Sequence, residues 1–235
     1  MEYFVYPASH DLKSPLITIQ GLFGFMRRDL AAGRTDRLPE WAQRNDEAIV
    51  RVRENVDNLL ELSRIGRVTG EIVEADLGVV ARTVVDDLGT QIGQAGASIH
   101  IAQDMPRIMC DVARLRQAIQ NLLANALRCG RPAEGDPRIE IGGSSEGSEV
   151  VLFVRDSGPG IPNEYREKVF RLFQSFSSGT DGTGFGLTIV RCITEAHNGR
   201  AWVESEPERG ASFYIALPRS PAKRPAEAPA ASTPG

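Results

Sequence analysis

From Val5 onward the apolar positions return at alternating spacings of four and three: Val5, Ser9, Leu12, Leu16, Ile19, Phe23, Met26 and Leu30. That is a heptad seam, the pattern of a helix packed nearly parallel to another. The stretch from Ala31 to Asp36 breaks it, with Gly33 inside and Pro39 just beyond. A second helix is predicted from about Pro39 to Ile65. Its seam is Ala42, Asn45, Ile49, Val52, Val56 and Leu59, widened by Ala48, Leu60 and Leu62. Two such helices joined by a short loop make an antiparallel hairpin. One hairpin has too little core to stand alone, and these stripes are wide. Pairing of two hairpins into a four-helix bundle, in a homodimer, is therefore expected.

Gly66 to Gly70 reads as a linker, and after it the texture changes to mixed strands and helices. Short strands are predicted at Ile72–Val73, Ser98–Ala102 and Arg107–Cys110. Asp76 and Asp111 are placed to cap helices. Strands at Arg138–Gly142 and Glu149–Arg155 flank the turn Ser144–Gly147. Thr188–His197 reads as a helix stopped by Asn198-Gly199, and Ala201–Ser205 with Ser212–Leu217 as a closing hairpin. The fold class is thus α+β. Residues 1–66 form the helical hairpin, 67–70 a linker, 71–217 an α/β unit, and 218–235 a Pro/Ala-rich tail expected to be disordered.

Composition narrows the function. The chain has 235 residues, 41% hydrophobic and 25% charged, with a net charge of −4. That is ordinary for a globular protein and offers no electrostatic case for nucleic acid. Cys110, Cys129 and Cys192 have no metal-site spacing and suggest reduced thiols in a cytoplasmic setting. No apolar run approaches the roughly 20 residues needed to cross a bilayer, and the start lacks a signal-peptide layout.

The candidate chemistry sits in the second unit. Asn121 and Asn125 are four apart, so their amides share one helix face. Amide oxygens are hard ligands suited to Mg2+, which takes few protein ligands and completes its shell with phosphate and water. Asp156 ends the strand-like run Val150–Val154, where a fixed carboxylate could accept from the exocyclic amine of adenine. Gly158 and Gly160 let the backbone pass close to a ring. Gly182, Gly184 and Gly186 precede a helix whose N-terminus could face phosphates. Each of these motifs alone is weak; the ordered trio is specific.

Together, Asn121-x-x-x-Asn125-Ala126, Asp156-x-Gly-x-Gly160 and Gly182-x-Gly-x-Gly186-Leu187 resemble the N and glycine boxes of the histidine kinase ATP-binding domain. Phe170-Arg-Leu-Phe173 resembles its F box, and Ser9-His10-Asp11-Leu12-Lys13-Ser14-Pro15-Leu16 its H box. All five stand in the family's order across about residues 3–217. The resemblance implies a dimerisation and phosphotransfer hairpin followed by an ATP-binding α/β sandwich. It implies ATP with Mg2+ at Asn121, Asn125, Arg128, Asp156, Gly158, Gly160, Thr183, Gly184, Gly186 and Leu187, with Asn125 as the metal ligand. Its partners would be a second copy, the receiver domain of a response regulator, and an upstream sensor domain or sensor protein. Hydrolytic relatives carry Glu four residues before the metal-binding Asn; here that place is Asn121, and an amide cannot take a proton from water. Phosphoryl transfer to a side chain fits better than hydrolysis.

His10 lies one residue past the seam position Ser9, about 100° round the helix, and is expected on the bundle's flank. Its neutral imidazole is a competent nucleophile, and Asp11 could accept the Nδ1 proton so that Nε2 attacks. Pro15 removes a helix hydrogen bond beside it. Ser14 stands where many members use Thr or Asn to position a dephosphorylating water. Cys129 occupies a place where Tyr or Phe is common. His100 is expected to face solvent and His197 to be structural. Ser212 is a weaker candidate for reaching adenine through water. No sensor domain precedes the hairpin in this sequence, so the expectation is a kinase core of a longer chain or one driven by a partner. Two alternatives stand beside this: a non-enzymatic docking module, and a kinase for protein serine.

Overall fold

The computed structural model describes residues 5–65, 70–170 and 184–219, with side chains from Pro15 onward. Helix α1 (Val5–Ala31) runs through Pro15, and α2 (Leu38–Ile65) returns against it. The tip of the hairpin is pinned by buried Asp29, which accepts from Trp41 Nε1 at 3.1 Å and from Arg34 Nη2 at 2.8 Å. Trp41 stacks on Phe25 at 5.3 Å.

The hairpin forms as expected, but only part of the predicted seam turns inward: Ile19, Met26 and Asn45 do. On α1 the inner line is Ile19, Leu22, Met26 and Asp29, while Leu16, Phe23 and Leu30 are exposed. On α2 the buried line is Trp41, Asn45, Ala48 and Asn55, while Ala42, Ile49 and Val56 face outward. The reason is geometric: a stripe wider than one helix contact offers two edges, and a single partner helix covers one.

The second unit begins with β1 (Ile72–Asp76), α3 (Leu77–Asp87), α4 (Gly89–Ala95), β2 (Ser98–Ile101), β3 (Arg107–Asp111) and α5 (Val112–Cys129). Asp76 caps α3 through Val79 N–H at 3.1 Å, and Asp111 caps α5 through Arg114 N–H at 3.1 Å, both as the sequence suggests. Helix α4 was not foreseen; it lacks an apolar period of its own. Strands β4 (Arg138–Glu146) and β5 (Glu149–Asp156) run further than expected, closing on Gly147 and Ser148. The short helix α6 (Asn163–Arg166), α7 (Gly186–Ala196), β6 (Arg200–Ser205) and β7 (Ala211–Pro218) complete the unit. Asn198 takes the left-handed conformation (φ 58°) that ends α7.

A five-stranded mixed sheet runs β2-β4-β5-β7-β6, parallel only between β2 and β4, and β1 pairs with β3 in a separate antiparallel ribbon. Strand alternation turns Val150, Leu152, Val154, Phe213, Ile215 and Leu217 toward the helices. There they meet Val84 of α3, Leu115, Ile119, Leu122 and Leu123 of α5, and Ile189, Val190 and Ile193 of α7. This layer holds α5 and α7 side by side on the sheet, the placement on which the candidate site depends. The opposite sheet face carries Phe153, Tyr214 and Trp202, the last two stacked at 4.9 Å.

Hairpin and sheet unit meet at the start of α5. Ile65 is buried in the sheet unit's core. Glu61 takes an ion pair from Arg114 and a hydrogen bond from Gln117 Nε2 at 3.3 Å. Asp111 Oδ2 accepts from Gly70 N–H at 2.6 Å, tying the chain just after the hairpin to the same helix end. His197 Nε2 accepts from Asp111 N–H at 3.2 Å, so the ring proton sits on Nδ1 and donates to Ile193 O at 2.8 Å. That is the structural role expected for His197, and His100 is exposed as expected.

Candidate nucleotide-binding site

Helix α5 presents Asn121 and Asn125 on one half-buried face. Asn121 Nδ2 donates to Gln117 O at 2.9 Å, which orients the amide and turns its oxygen outward. That oxygen faces the first residue of α7: a Cβ on Gly186 would stand 3.0 Å from it. Asn125 Oδ1 accepts from Arg128 Nη2 at 3.3 Å, so an amide oxygen and a guanidinium share one spot at the end of α5. Phe185, fully buried, anchors the start of α7, and as the residue before the helix it supplies no side-chain cap of its own. Gly184 precedes it with φ 70°, and Leu187 is half-buried.

Asp156 ends β5 and is 7% exposed. Its Oδ1 accepts two backbone N–H bonds, from Gly158 at 2.9 Å and Ala211 at 3.2 Å. Burial pushes its carboxyl above the ordinary range, and the two amides pull it part of the way back. With both bonds on Oδ1, the carboxylate is held in one orientation, and Oδ2 has no partner among the described residues. The C-terminus of α5 lies directly against this turn. A Cβ on Gly130 would meet Asp156 Cβ at 2.5 Å, and one on Gly158 would meet Gly130 Cα at 2.6 Å. Glycine at both places lets two backbones touch.

The structure thus gathers Asn121, Asn125 and Arg128 of α5, Asp156, Gly158 and Gly160 after β5, and Gly184, Gly186 and Leu187 at α7 around one region. Thr183, Phe173 and the stretch 175–183 lie outside the described residues. His10, Asp11 and Ser14 lie in α1, but their side chains are outside the described set. Phe170 is buried, edge-on to Phe213 at 6.2 Å. Ser212 is engaged elsewhere: its hydroxyl accepts from Arg155 Nε at 2.9 Å. It pairs with Arg155 across the strands, on the sheet face opposite Asp156. Gly130 and Ser205 escaped sequence reasoning. A glycine just past a helix end signals a cap, which hid its contact with Asp156; Ser205 left no local signal at all.

Residues 1–67 match the family described as the His Kinase A (phospho-acceptor) domain, and residues 110–221 the Histidine kinase-, DNA gyrase B-, and HSP90-like ATPase family. The catalytic domain of histidine kinase ThkA is 31% identical and is covered over its whole length, with a TM-score of 0.57 across 66% of this chain. The chain belongs to the histidine kinases. Among curated relatives of this histidine kinase, the methanogenesis regulatory histidine kinase FilI of Methanothrix harundinacea is 40% identical over 93% of the chain. Cyanobacterial phytochrome B of Nostoc is 34% identical over 92%. The chain spans only 24% and 29% of those two relatives. The crystal structure of ThkA in complex with the response regulator protein TrrA is 27% identical, with a TM-score of 0.70 across 92% of this chain and 61% of that one.

Among its described residues this kinase has no helix long and apolar enough to cross a membrane, and no group of three His, Cys, Asp or Glu that could hold a metal ion. The donor set at the site is instead neutral amide oxygen. That fits Mg2+ carried in with a polyphosphate, because the phosphates bring the negative ligands and the protein needs to add only one oxygen.

Proposed function

We propose that this chain is the ATP-using core of a two-component signalling kinase, one that phosphorylates itself on His10 and passes the phosphoryl group to an aspartate of a response regulator. The observation that carries the nucleotide half is the fixed Asp156 carboxylate, with Oδ1 satisfied by two amides and Oδ2 without a partner among the described residues, against Gly130 at the end of α5. Asp156 receives the adenine amine. The α5 face and the N-terminus of α7 take the phosphates, with Gly184, Gly186 and Leu187 at the start of α7 and Thr183, next to them in sequence, as further nucleotide contacts. Asn125 is the metal ligand, and a bound Mg2+ would neutralise phosphate charge. Arg128, which now bonds Asn125 Oδ1, turns to phosphate instead.

Residues 1–66 are the phosphotransfer hairpin and 71–217 the ATP-binding unit. In the hairpin, His10 Nε2 is the nucleophile and Asp11 holds the Nδ1 proton and the developing charge. Asn121, with its N–H already given to Gln117, offers no base for water, so transfer to His10 is favoured over hydrolysis. Catalysis is mainly positioning. A second copy covers the outward edges of both helices. A receiver domain docks along α1 below His10, where Ile17 and Thr18 are exposed and Ser14 is placed for a phosphatase step. The sensing input is a domain or protein upstream, and the setting is cytoplasmic.

The test is incubation with γ-labelled ATP and Mg2+. Label is expected on the wild type, lost by at least about a hundredfold in His10→Gln, and stable to base but labile to acid. Equal labelling of both proteins rejects His10 as the acceptor. Acid-stable label points to a serine kinase instead.

A further inference from the structure

Two turns close together beside Asp156: residues 157–161, which follow β5, and 206–210, which join β6 to β7. Their backbones interlock. Gly160 (φ 76°) lies against Glu206, where a Cβ would stand 2.3 Å from the carbonyl oxygen, and Gly210 (φ 82°) lies against Asp156 O, with a Cβ at 1.9 Å. Glu208 N–H donates to Pro159 O at 2.8 Å. Between them sits Ser205, the last residue of β6, 7% exposed. Its Oγ accepts from Ile161 N–H at 2.8 Å and donates to Gly210 O at 2.7 Å. One hydroxyl therefore bridges both turns, taking a half-buried donor on one and giving its proton to a buried acceptor on the other. The residue after Gly210 is Ala211, whose N–H holds Asp156 Oδ1.

We propose that Ser205 is a positioning residue for base recognition: by bridging Ile161 and Gly210 it keeps Ala211 on the Asp156 carboxylate, and so sets the preference for a purine that presents an amine over one that presents a carbonyl. The proposal rests on the nucleotide reading of the site. A carboxylate accepts from an amine and repels a carbonyl oxygen, and that contrast is largest when the carboxylate cannot swing aside. Loss of the Ser205 hydroxyl strands Ile161 N–H and Gly210 C=O, which lets the turns part and frees Asp156 to rotate. The phosphate-facing groups on α5 and α7 are not touched by Ser205. Weaker amide bonding to Asp156 also raises its carboxyl further, so binding of the amine-bearing base shifts to higher pH.

The experiment compares the full chain with Ser205→Ala and Ser205→Thr, measuring the dissociation constants of ADP and GDP with Mg2+ from pH 5 to 8, and the labelling rate at saturating ATP. In Ser205→Ala the ADP affinity and the ADP-over-GDP preference are each expected to fall about tenfold. The binding profile moves to higher pH, while the rate at saturation stays within about twofold. Ser205→Thr, which keeps the hydroxyl, restores the preference. An unchanged preference in a folded Ser205→Ala protein, or an equal loss for both nucleotides, overturns the role of Ser205. A wild type that binds neither nucleotide overturns the nucleotide reading itself.

Discussion

Phe23 of the hairpin stands 51% exposed and Ile17 66%, while Leu122 and Leu123 of the sheet unit have no exposed surface at all. The contrast runs through both parts. Along the hairpin Leu16, Phe25, Leu30, Ile49, Val50, Val56 and Leu60 are also exposed, whereas the sheet unit shows only Val73, Val79 and Met109 among its described large apolar residues. A sheet covered by three helices closes its own core. Two helices cannot, because each turns one edge of its stripe away from the other. The hairpin also holds the two buried amide oxygens without a partner among the described residues, Asn45 Oδ1 and Asn55 Oδ1. One part therefore closes most of its own core, with Ile65 of α2 completing it, and is suited to holding a fixed geometry. The other leaves apolar edges that its own two helices do not cover.

The comparison is sharpest if each part is damaged separately. Leu122→Ala removes a side chain from the closed core and is expected to cost the sheet unit about 2–5 kcal/mol in denaturant unfolding. Phe23→Ser should leave that transition in place and instead weaken self-association about tenfold in sedimentation experiments. If the Phe23 variant unfolded the sheet unit, or left association untouched, the two parts would not differ as described. A smaller effect is expected from Asn45→Leu. Exchanging a buried amide whose oxygen has no partner among the described residues for an apolar side chain should raise the hairpin's stability by about 1 kcal/mol in thermal melts. A lower melting temperature would show that the amide finds a partner in the assembled protein.

The smallest effect concerns the junction. Hydrogen bonding from Arg114 holds the Glu61 carboxyl below the usual glutamate range, against the opposing pull of partial burial. Its folded value is thus lower than its unfolded one. The stabilisation is fully present above the unfolded glutamate pKa of about 4.3 and is lost as pH falls through the folded value. Urea melts between pH 3 and 7 should show this acid-side loss, under about 1 kcal/mol, in the wild type and not in Glu61→Gln. Parallel slopes in the two proteins would mean that the ion pair does not join hairpin to sheet unit.

Periodicity along the chain was enough to find both long helices, and capping chemistry enough to find the starts of α3 and α5 at Asp76 and Asp111. The glycine and asparagine spacings marked the candidate site, because each motif acts within a few residues of itself. The same reasoning ran Leu16, Phe23 and Leu30 into one seam with Ile19 and Met26 and left out Leu22, since all six are apolar and period alone does not say which edge a single partner helix covers. It also set Ser212 toward the ligand, where the strand register sends it to Arg155 on the other sheet face.

What the amino-acid order determined by itself was the type of each element and the local chemistry at its ends: periods of 3.6 and 2, caps, turns and motif spacing are all read within one stretch of chain. What only the tertiary structure decided was the meeting of Gly130 with Asp156, of Ser205 with Ile161 and Gly210, and of Gly70 and His197 with Asp111. Most of these contacts join residues tens of positions apart. Their specificity lies in a single hydrogen bond or an absent Cβ, which leaves no periodic trace in the sequence and takes shape only when the sheet stacks its strands and helices side by side.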